Sequence, residues 1–397
     1  MSMAKPTLAD KSICTGCGAC ALKCPKGNIE MVYDDEGFLF PQINDNCIGC
    51  NLCEKVCPII NKSELDRYEQ VACGAVHRDK MIWGNSSSGG AFSAICKLYG
   101  DSQTVVFGAA FDCTSKKIKH ISVNGVENIA PLLGSKYVQS ELGDSFIKVK
   151  KFLNNGSRVI FSGTPCQIAG LKAFLRDTKV DNLLCIDLVC HGVGSPELFS
   201  KYLQALEIRY KKKIKNFNFR YKRMKFGIHS LYNVKITFED ESTLIDTSNL
   251  FINLFLQKMI CRKSCDNCLY TCSKREGDIT VADFKNMYSV IKDAPYNRNG
   301  SAIICNSEKG KEIFSKLENE MMIFECSTES IIRGNNPLSR CIQSPALRES
   351  FFEYYKKNTS VLDVMQKFRR REKFISRITA LIPTKVKANI KKGWEKQ

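Results

Sequence analysis

Two stretches near the front of the chain repeat one cysteine spacing. "CTGCGACALKCP" places Cys14, Cys17, Cys20 and Cys24 ahead of Pro25, and "CIGCNLCEKVCP" places Cys47, Cys50, Cys53 and Cys57 ahead of Pro58. Each reads C-x2-C-x2-C-x3-C-P, the pattern of bacterial two-cluster ferredoxins. Three closely spaced thiolates can wrap three irons of one cubane, while the fourth, past a short turn, reaches the other. The spacing therefore predicts one 4Fe–4S site from Cys14, Cys17, Cys20 and Cys57, and a second from Cys47, Cys50, Cys53 and Cys24. Gly16, Gly18 and Gly49 let the backbone approach and offer N–H groups to cluster sulfurs. Zinc also takes four thiolates. It does not require a doubled array with a proline after each fourth cysteine, so iron–sulfur is the favoured reading.

A later stretch, "CRKSCDNCLYTC", holds Cys261, Cys265, Cys268 and Cys272. Its steps of four, three and four residues would put all the sulfurs on one face of a helix, which permits a self-contained site, zinc included. Cys73, Cys96, Cys113, Cys185, Cys305, Cys326 and Cys341 are isolated, and most read as small buried apolar residues. The chain has 21 cysteines in 397 residues, an odd count with 44% hydrophobic content, so it needs no disulfide scaffold. Thiols in this setting serve metal or stay free in a reducing cytosol.

These groups need a frame. "TVVFGAAF" (104–111), "SRVIF" (157–161) and "NLLCIDLV" (182–189) are short apolar runs that read as buried strands. The second leads into a helix start at Thr164 and Pro165, the third into another at Ser195 and Pro196. Strand, turn, helix, strand is α/β grammar. "YNVKITF" (232–238), "DITVADF" (278–284) and "SAIICN" (301–306) add strand candidates and imply a mixed sheet. The Ser- and Gly-rich "NSSSGGAFSAICKL" (85–98) resembles a phosphate-binding helix start or an ordinary capped helix. The expected fold is thus α+β or α/β: a small two-cluster ferredoxin-type domain at 1–62, an α/β domain with a mixed sheet at 66–345, and a basic helical tail at 346–397.

Charge and hydropathy narrow the class. No run of eighteen apolar residues is present and the start lacks a signal-peptide core, so the expectation is a cytoplasmic protein. Residues 356–397 carry thirteen Lys or Arg against Asp363, Glu372 and Glu395, more than half of the net charge of +18. The body holds no nucleic-acid-binding signature, so no nucleic-acid partner is expected. In "VLDVMQKFRRREKFISRITALI" (361–382), apolar residues at 361, 365, 368, 375, 378 and 382 form one helix face. Such a helix can make peripheral contact with an anionic membrane, here the inner membrane surface, or dock on the body or a partner.

The order "SSSGG", "GSKYVQSELGDSF", "VIFSGTPCQIAGLKAFL", "LLCIDLVCHGVGSPELF", "CxxxCxxC" and "GDITVADF" resembles the beta subunits of coenzyme F420-reducing hydrogenases and formate dehydrogenases, over roughly residues 10–340. Plant 7-hydroxymethyl chlorophyll reductase is similar to these. The resemblance implies FAD and iron–sulfur clusters, and an oxidoreductase passing electrons between a soluble hydride carrier or organic substrate and the clusters. It places Ser87, Ser88, Gly89, Gly90, Ser135, Lys136, Tyr137, Gln139, Gly163, Thr164 and Pro165 near the flavin, with Lys136 facing its phosphate or reduced ring. It also implies a third 4Fe–4S cluster from distant turns, held by Cys166, Cys190, Cys265 and Cys268. The chain departs from the pattern after Phe284, where Lys285 and Asn286 stand in place of an aromatic residue and a glycine. His191 reads equally as a proton carrier or a turn residue, and Asp278 and Asp283 as strand ends. A redox partner subunit is expected. Two other readings are a non-catalytic electron-relay subunit of a larger complex and a reductase dedicated to one organic substrate.

Overall fold

The computed structural model describes residues 5–62, 68–225, 228–230, 233–284, 287 and 300–370, with the backbone alone at 223–225 and 228–230. The first of these segments is a ferredoxin-like region in which both cysteine runs fold alike. Helix α1 (Ala19–Lys23) follows Gly18 at φ 71°, and helix α2 (Leu52–Lys55) follows Asn51 at φ 57°. Gly18 and Asn51 occupy the same place in the two runs, a left-handed position that glycine adopts freely and asparagine tolerates. Between the runs, β1 (Ile29–Tyr33) and β2 (Leu39–Ile43) pair antiparallel with Ile29 opposite Ile43.

The body is built on an eight-stranded mixed sheet. In chain order its first part is β3 (Val71–His77), α3 (Lys80–Asn85), α4 (Ala91–Tyr99), β4 (Val105–Asp112), β5 (Lys117–Asn124), α5 (Ser145–Asn154), β6 (Val159–Gly163), α6 (Pro165–Phe174), β7 (Leu183–Leu188) and α7 (Pro196–Tyr210). A three-stranded side sheet follows, made of β8 (Ile214–Asn218), β11 (Val234–Phe238) and β12 (Thr243–Asp246), with the hairpin β9 (Arg223–Lys225) and β10 (Ile228–Ser230) beside it in sequence. Then come α8 (Leu250–Leu256), β13 (Ile279–Phe284), β14 (Gly300–Cys305), α9 (Glu308–Phe314), β15 (Met321–Glu325), α10 (Thr328–Gly334), α11 (Leu347–Lys357) and α12 (Val361–Phe368).

Strand order across the sheet is β15-β3-β14-β13-β7-β6-β4-β5. Strands β13, β7, β6 and β4 are parallel neighbours, and the remaining pairings are antiparallel. Two reversals across β14 make β3 run with the parallel four, so five strands end at one edge. Both faces are covered. Ala94 and Ile95 of α4 and Ile313 of α9 pack on one side with Val106, Ile160 and Leu184. Phe146 and Val149 of α5 and Ile168 and Leu171 of α6 pack on the other with Phe107 and Phe161. Burial on both faces is why β4, β6 and β7 read as unbroken apolar runs.

A second core lies under the side sheet, where Phe199, Phe217, Phe219 and Phe251 meet with ring centres 4.7–5.3 Å apart. Helix α12 belongs to it: Val361, Val364 and Met365 are buried with Phe351 and Phe352 of α11. The first part of the amphipathic tail therefore docks on the body, and residues 371–382 of that expected helix lie outside the described residues. No helix among the described residues is long and apolar enough to cross a membrane.

One expectation is corrected. Residues 261–272 are not a helix: Cys261 bridges to Gly194, only Lys263–Asn267 form a 3-10 turn, and Cys268 is extended. The four sulfurs therefore do not share a helix face. Asp266 accepts from the backbone and hydroxyl of Ser344 at 3.0 and 2.8 Å, and Arg262 is drawn into the interior, so tertiary contacts override the helical spacing.

Candidate functional site

The carboxyl ends of parallel strands are where α/β sheets place ligands, and the chemistry-bearing turns collect there. Helix α6 begins after β6 with Pro165 in its first turn, and Thr164 and Gln167 close a capping box. Thr164 Oγ1 also lies 3.2 Å from Cys166 Sγ. After β7 the chain turns through Cys190 and His191 and enters α7 at Ser195, whose hydroxyl accepts from Leu198 N–H. After β3 come α3 and the serine-glycine turn ahead of α4.

Backbone contacts stitch these turns together. Ser135 N–H donates to Ser87 Oγ at 2.6 Å, and Gly89 N–H donates to Ser301 Oγ at 2.9 Å. Ser88 Oγ donates to the Gly300 carbonyl at 2.7 Å. Gly89 is obligatory, since a Cβ there would overlap Ala75 O and Ser301 N. Gln139 N–H donates to Gly194 O, and Arg262 N–H donates to Val193 O, each at 3.0 Å. Gly90 is the left-handed cap of α4. Tyr137 stacks on Phe255 with ring centres 4.7 Å apart. Lys136 is partly buried, and its ammonium donates to the carbonyls of Pro131, Leu132 and Leu133 at 2.8–3.3 Å. Burial pulls its pKa down to about 7.

The cysteines sort into three sets. A pocket of about 370 Å³, open solvent included, is lined by Cys14, Cys17, Cys20 and Cys57 with Gly16, Gly18 and Pro58. Another, of about 300 Å³, is lined by Cys24, Cys47, Cys50 and Cys53. Each pocket takes three cysteines from one run and the last from the other. The third set comes from three turns. Burial pushes the Cys166 thiol up to about 12, with Cys268 and Cys265 adding to the rise. Burial likewise raises Cys190 well above the ordinary range, with Cys265, Cys166 and Cys268 adding. Cys166, Cys190, Cys265 and Cys268 are thus close enough for their charges to repel one another.

Buried thiols whose pKa values are raised this far become thiolates only with a cationic group among them. Among the described residues no Cys, His, Asp or Glu trio is drawn together tightly enough for a single ion. The first two sets each line a pocket rather than a point, which fits a polynuclear group better than zinc.

The late cysteine segment is also the seat of the ferredoxin-like region. Arg262 Nε donates to Cys14 O at 2.9 Å, Tyr270 OH to Pro58 O at 3.4 Å and Lys62 Nζ to Leu269 O at 3.0 Å. Gln139 Nε2 donates to Thr15 O at 2.9 Å. The turn that leads into α1 lies on α6 so closely that a Cβ at Gly170 would stand 2.9 Å from Cys17 Cβ. The Cys14 set and the Cys166 set are therefore neighbours, and Cys17 feels the charge of Cys166.

A profile of the coenzyme F420 hydrogenase/dehydrogenase family, covering the C terminus of its beta subunit, matches residues 156–330, and a 4Fe-4S dicluster domain matches residues 7–65. Residues 156–330 thus match the C-terminal domain of the coenzyme F420 hydrogenase/dehydrogenase beta subunit, behind a 4Fe-4S dicluster domain. The dicluster match makes the front of the chain an iron–sulfur module of the electron-transfer type. That module is 39% identical over 67 residues to an iron-sulfur subunit of the CoB–CoM heterodisulfide reductase of Methanocaldococcus jannaschii, covering 13% of this chain and 10% of that one. A subunit of the H2:CoB-CoM heterodisulfide, ferredoxin reductase of Methanothermobacter marburgensis is 41% identical over 70 residues, with the same shares. The chain thus spans about a tenth of the length of these curated relatives. An uncharacterised ferredoxin of M. jannaschii is 34% identical over 56 residues, which cover 14% of this chain and 73% of the ferredoxin. Among solved structures, a chain of the F420-reducing [NiFe] hydrogenase complex from Methanosarcina barkeri aligns at 17% identity with a TM-score of 0.43, covering 76% of this chain and 91% of that one.

Several residues that bear on the site carry no local motif. Lys222 Nζ donates to Trp83 O and Ser88 O at 2.6 and 2.5 Å, beneath the serine-glycine turn. Arg220 pairs with Asp283, and Cys341 Sγ donates to Cys268 O at 3.4 Å. Only a fold brings these residues to their partners. Asp278 takes Cys185 N–H and Ser307 Oγ at a strand end, and the His191 carbonyl accepts from Lys258. Lys285 and Asn286 lie outside the described residues.

Proposed function

We propose that the chain is an iron–sulfur flavoprotein oxidoreductase subunit. Its two-cluster domain (1–62) would be seated on a flavin and iron–sulfur domain (66–345), followed by a basic tail (346–397). Bound 4Fe–4S clusters would supply one-electron transfer, and bound FAD the exchange between a hydride and single electrons. Cys14, Cys17, Cys20 and Cys57 would hold one cluster, Cys24, Cys47, Cys50 and Cys53 a second, and Cys166, Cys190, Cys265 and Cys268 a third. Ser87, Ser88, Gly89, Gly90, Ser135, Lys136, Tyr137, Gln139, Gly163, Thr164 and Pro165 would line the flavin site. The partners would be a soluble hydride carrier or small organic substrate, together with a redox protein or partner subunit.

The observation that supports this reading is the third cysteine set. Cys166 and Cys190, from two strand ends, lie within electrostatic reach of Cys265 and Cys268, on the segment that seats the ferredoxin-like region. Iron and flavin content of the anaerobically purified protein test it. About twelve irons and one FAD per chain are expected, and Cys166→Ser should lose about four irons. Full iron in Cys166→Ser together with loss in Cys261→Ser would overturn the third site.

A second reading, a relay subunit without flavin, has one observation in its favour. The Lys136 ammonium spends its protons on three backbone carbonyls, and the Ser87 and Ser88 hydroxyls are engaged within the fold. Clusters without flavin after reconstitution with FAD would select it.

A further inference from the structure

Four arginines are buried in the described residues: Arg220, Arg262, Arg275 and Arg348. Three of them pair with a carboxylate, Arg220 with Asp283, Arg275 with Asp187 and Arg348 with Glu36. Arg262, the most buried at 1% exposure, is held differently. Its Nε donates to Cys14 O at 2.9 Å, Nη1 to Gln139 Oε1 at 3.0 Å and Nη2 to Leu39 O at 3.1 Å. All three acceptors are neutral. The ring of Phe40 covers the guanidinium at 4.0 Å. The carboxylate whose charge reaches it, Asp34, is turned to the Glu36 and Phe38 N–H groups instead.

A guanidinium cannot shed its proton, and burying it with only neutral acceptors is costly unless negative charge stands close by. The groups placed to supply that charge are cysteine sulfurs on two sides. Arg262 donates to the carbonyl of Cys14, and its own carbonyl accepts from Cys265 N–H at 3.0 Å. One residue is thus bonded to ligand-bearing segments of two different cysteine sets.

We propose that Arg262 is a positioning residue that sets the reduction potentials of the two inner clusters together. It would favour the more negative, reduced state of both the Cys14 set and the Cys166 set. The inference rests on the reading that these sets hold 4Fe–4S clusters. Each reduction adds one electron, supplied by the flavin or the partner, and Arg262 keeps its proton and transfers nothing. The outer set, Cys24, Cys47, Cys50 and Cys53, lies in a separate pocket, and Arg262 bonds to the Cys14 and Cys265 segments rather than to it, so it should not respond.

The test is a redox titration followed by electron paramagnetic resonance, with iron counted on the same samples, in full-length wild type, Arg262→Gln and Arg262→Lys. Arg262→Gln should keep about twelve irons. Two of its three potentials should fall by at least a tenfold change in the reduced-to-oxidised ratio, about 59 mV for a one-electron couple. The third should stay. Arg262→Lys, which keeps the charge, should remain within that limit. Unchanged potentials in fully loaded Arg262→Gln would overturn the proposal, and so would an Arg262→Lys shift as large as that of Arg262→Gln. If Arg262→Gln does not fold, Arg262→Lys against wild type decides, since a fall beyond the limit excludes a charge effect. Wild type with about eight irons would overturn the third cluster instead, leaving the Cys14-set potential to test Arg262.

Discussion

His120 sits at the root of the turn that presents Cys166. Its ring stacks on Phe161 with centres 5.2 Å apart, Nε2 lies 3.0 Å from the Ser162 carbonyl and Nδ1 lies 2.9 Å from Ser140 Oγ. A carbonyl can only accept, so Nε2 carries the proton and Ser140 donates to Nδ1. Ser140 Oγ in turn accepts from Gln167 Nε2 at 2.9 Å, and Gln167 Oε1 accepts from Thr164 N–H at 3.0 Å. A second proton on His120 would meet a hydroxyl already committed to this chain. Burial pulls the His120 pKa down to about 4, the Ser162 carbonyl opposes that shift and Lys136 adds to it. The unfolded chain takes up this proton near pH 6.5. Between about 6.5 and 4 the unfolded state therefore binds more protons than the folded one, and stability falls as pH falls. The thermal midpoint should decline through that window, and His120→Gln should flatten the decline. Parallel profiles for the two proteins would mean that His120 is not the group responsible.

The turn that leads into α1 meets α6 at Gly170, and the approach fixes how near the two inner cysteine sets can lie. Two effects of Gly170→Ala oppose each other. Alanine in a helix interior gains about 0.5–1 kcal/mol over glycine. Its Cβ, however, would stand 2.9 Å from Cys17 Cβ and 3.0 Å from Cys17 Sγ, and such overpacking costs about 1–3 kcal/mol. The clash wins, so the thermal midpoint should drop, and magnetic coupling between the two inner clusters should weaken as α1 backs away. A raised midpoint would show that α1 yields at no cost. Elements of this kind differ in how far the sequence announces them. β4, β6 and β7 are covered on both faces and stand out as apolar runs. β5 and β15 lie at the sheet edges with partly exposed residues, and β3 includes Ala72, Cys73, Gly74 and Ala75, whose small side chains make a weak strand signal. The helix starts at Pro165 and Pro196 were legible because caps are local. The irregular path of residues 261–272 was not, because Arg262 is drawn inward by Cys14, Leu39 and Gln139, from 123 to 248 residues away in sequence. The eight front cysteines could be sorted from spacing alone. Joining Cys166 and Cys190 to Cys265 and Cys268 required a family resemblance or a fold.

At the scale of the whole molecule, the ferredoxin-like region is held at two places. At one, Arg262 donates to Cys14 O and Leu39 O. At the other, the turn between β1 and β2 bonds to the start of α7 and to α11. Ser195 Oγ donates to Glu36 O at 2.7 Å, Glu197 N–H donates to Gly37 O at 3.3 Å and Arg348 forks onto the Glu36 carboxylate. Arg348 also donates through Nε and Nη2 to the Cys261 carbonyl, at 3.0 and 2.9 Å, next to Arg262 in the chain. A surface pair such as Lys5 with Asp45 stays solvated and screened, so it contributes little. Removing one partner of a buried pair costs about 3–5 kcal/mol, because the other is left desolvated and unpaired. Glu36 is partly exposed and can recover some water, so Arg348→Met should fall near the low end, about 3 kcal/mol. Methionine keeps an apolar chain against Phe352, which the guanidinium now covers at 4.7 Å, so the loss should be polar rather than a packing void. Hydrogen exchange should then quicken in residues 34–43 and 347–357 while β6 and β7 keep their protection. Lys5→Met should change neither. If protection instead falls equally throughout the sheet, the turn and the sheet unfold as one unit. If it falls nowhere, the Arg262 contact holds the region alone, and α11 only covers the side core.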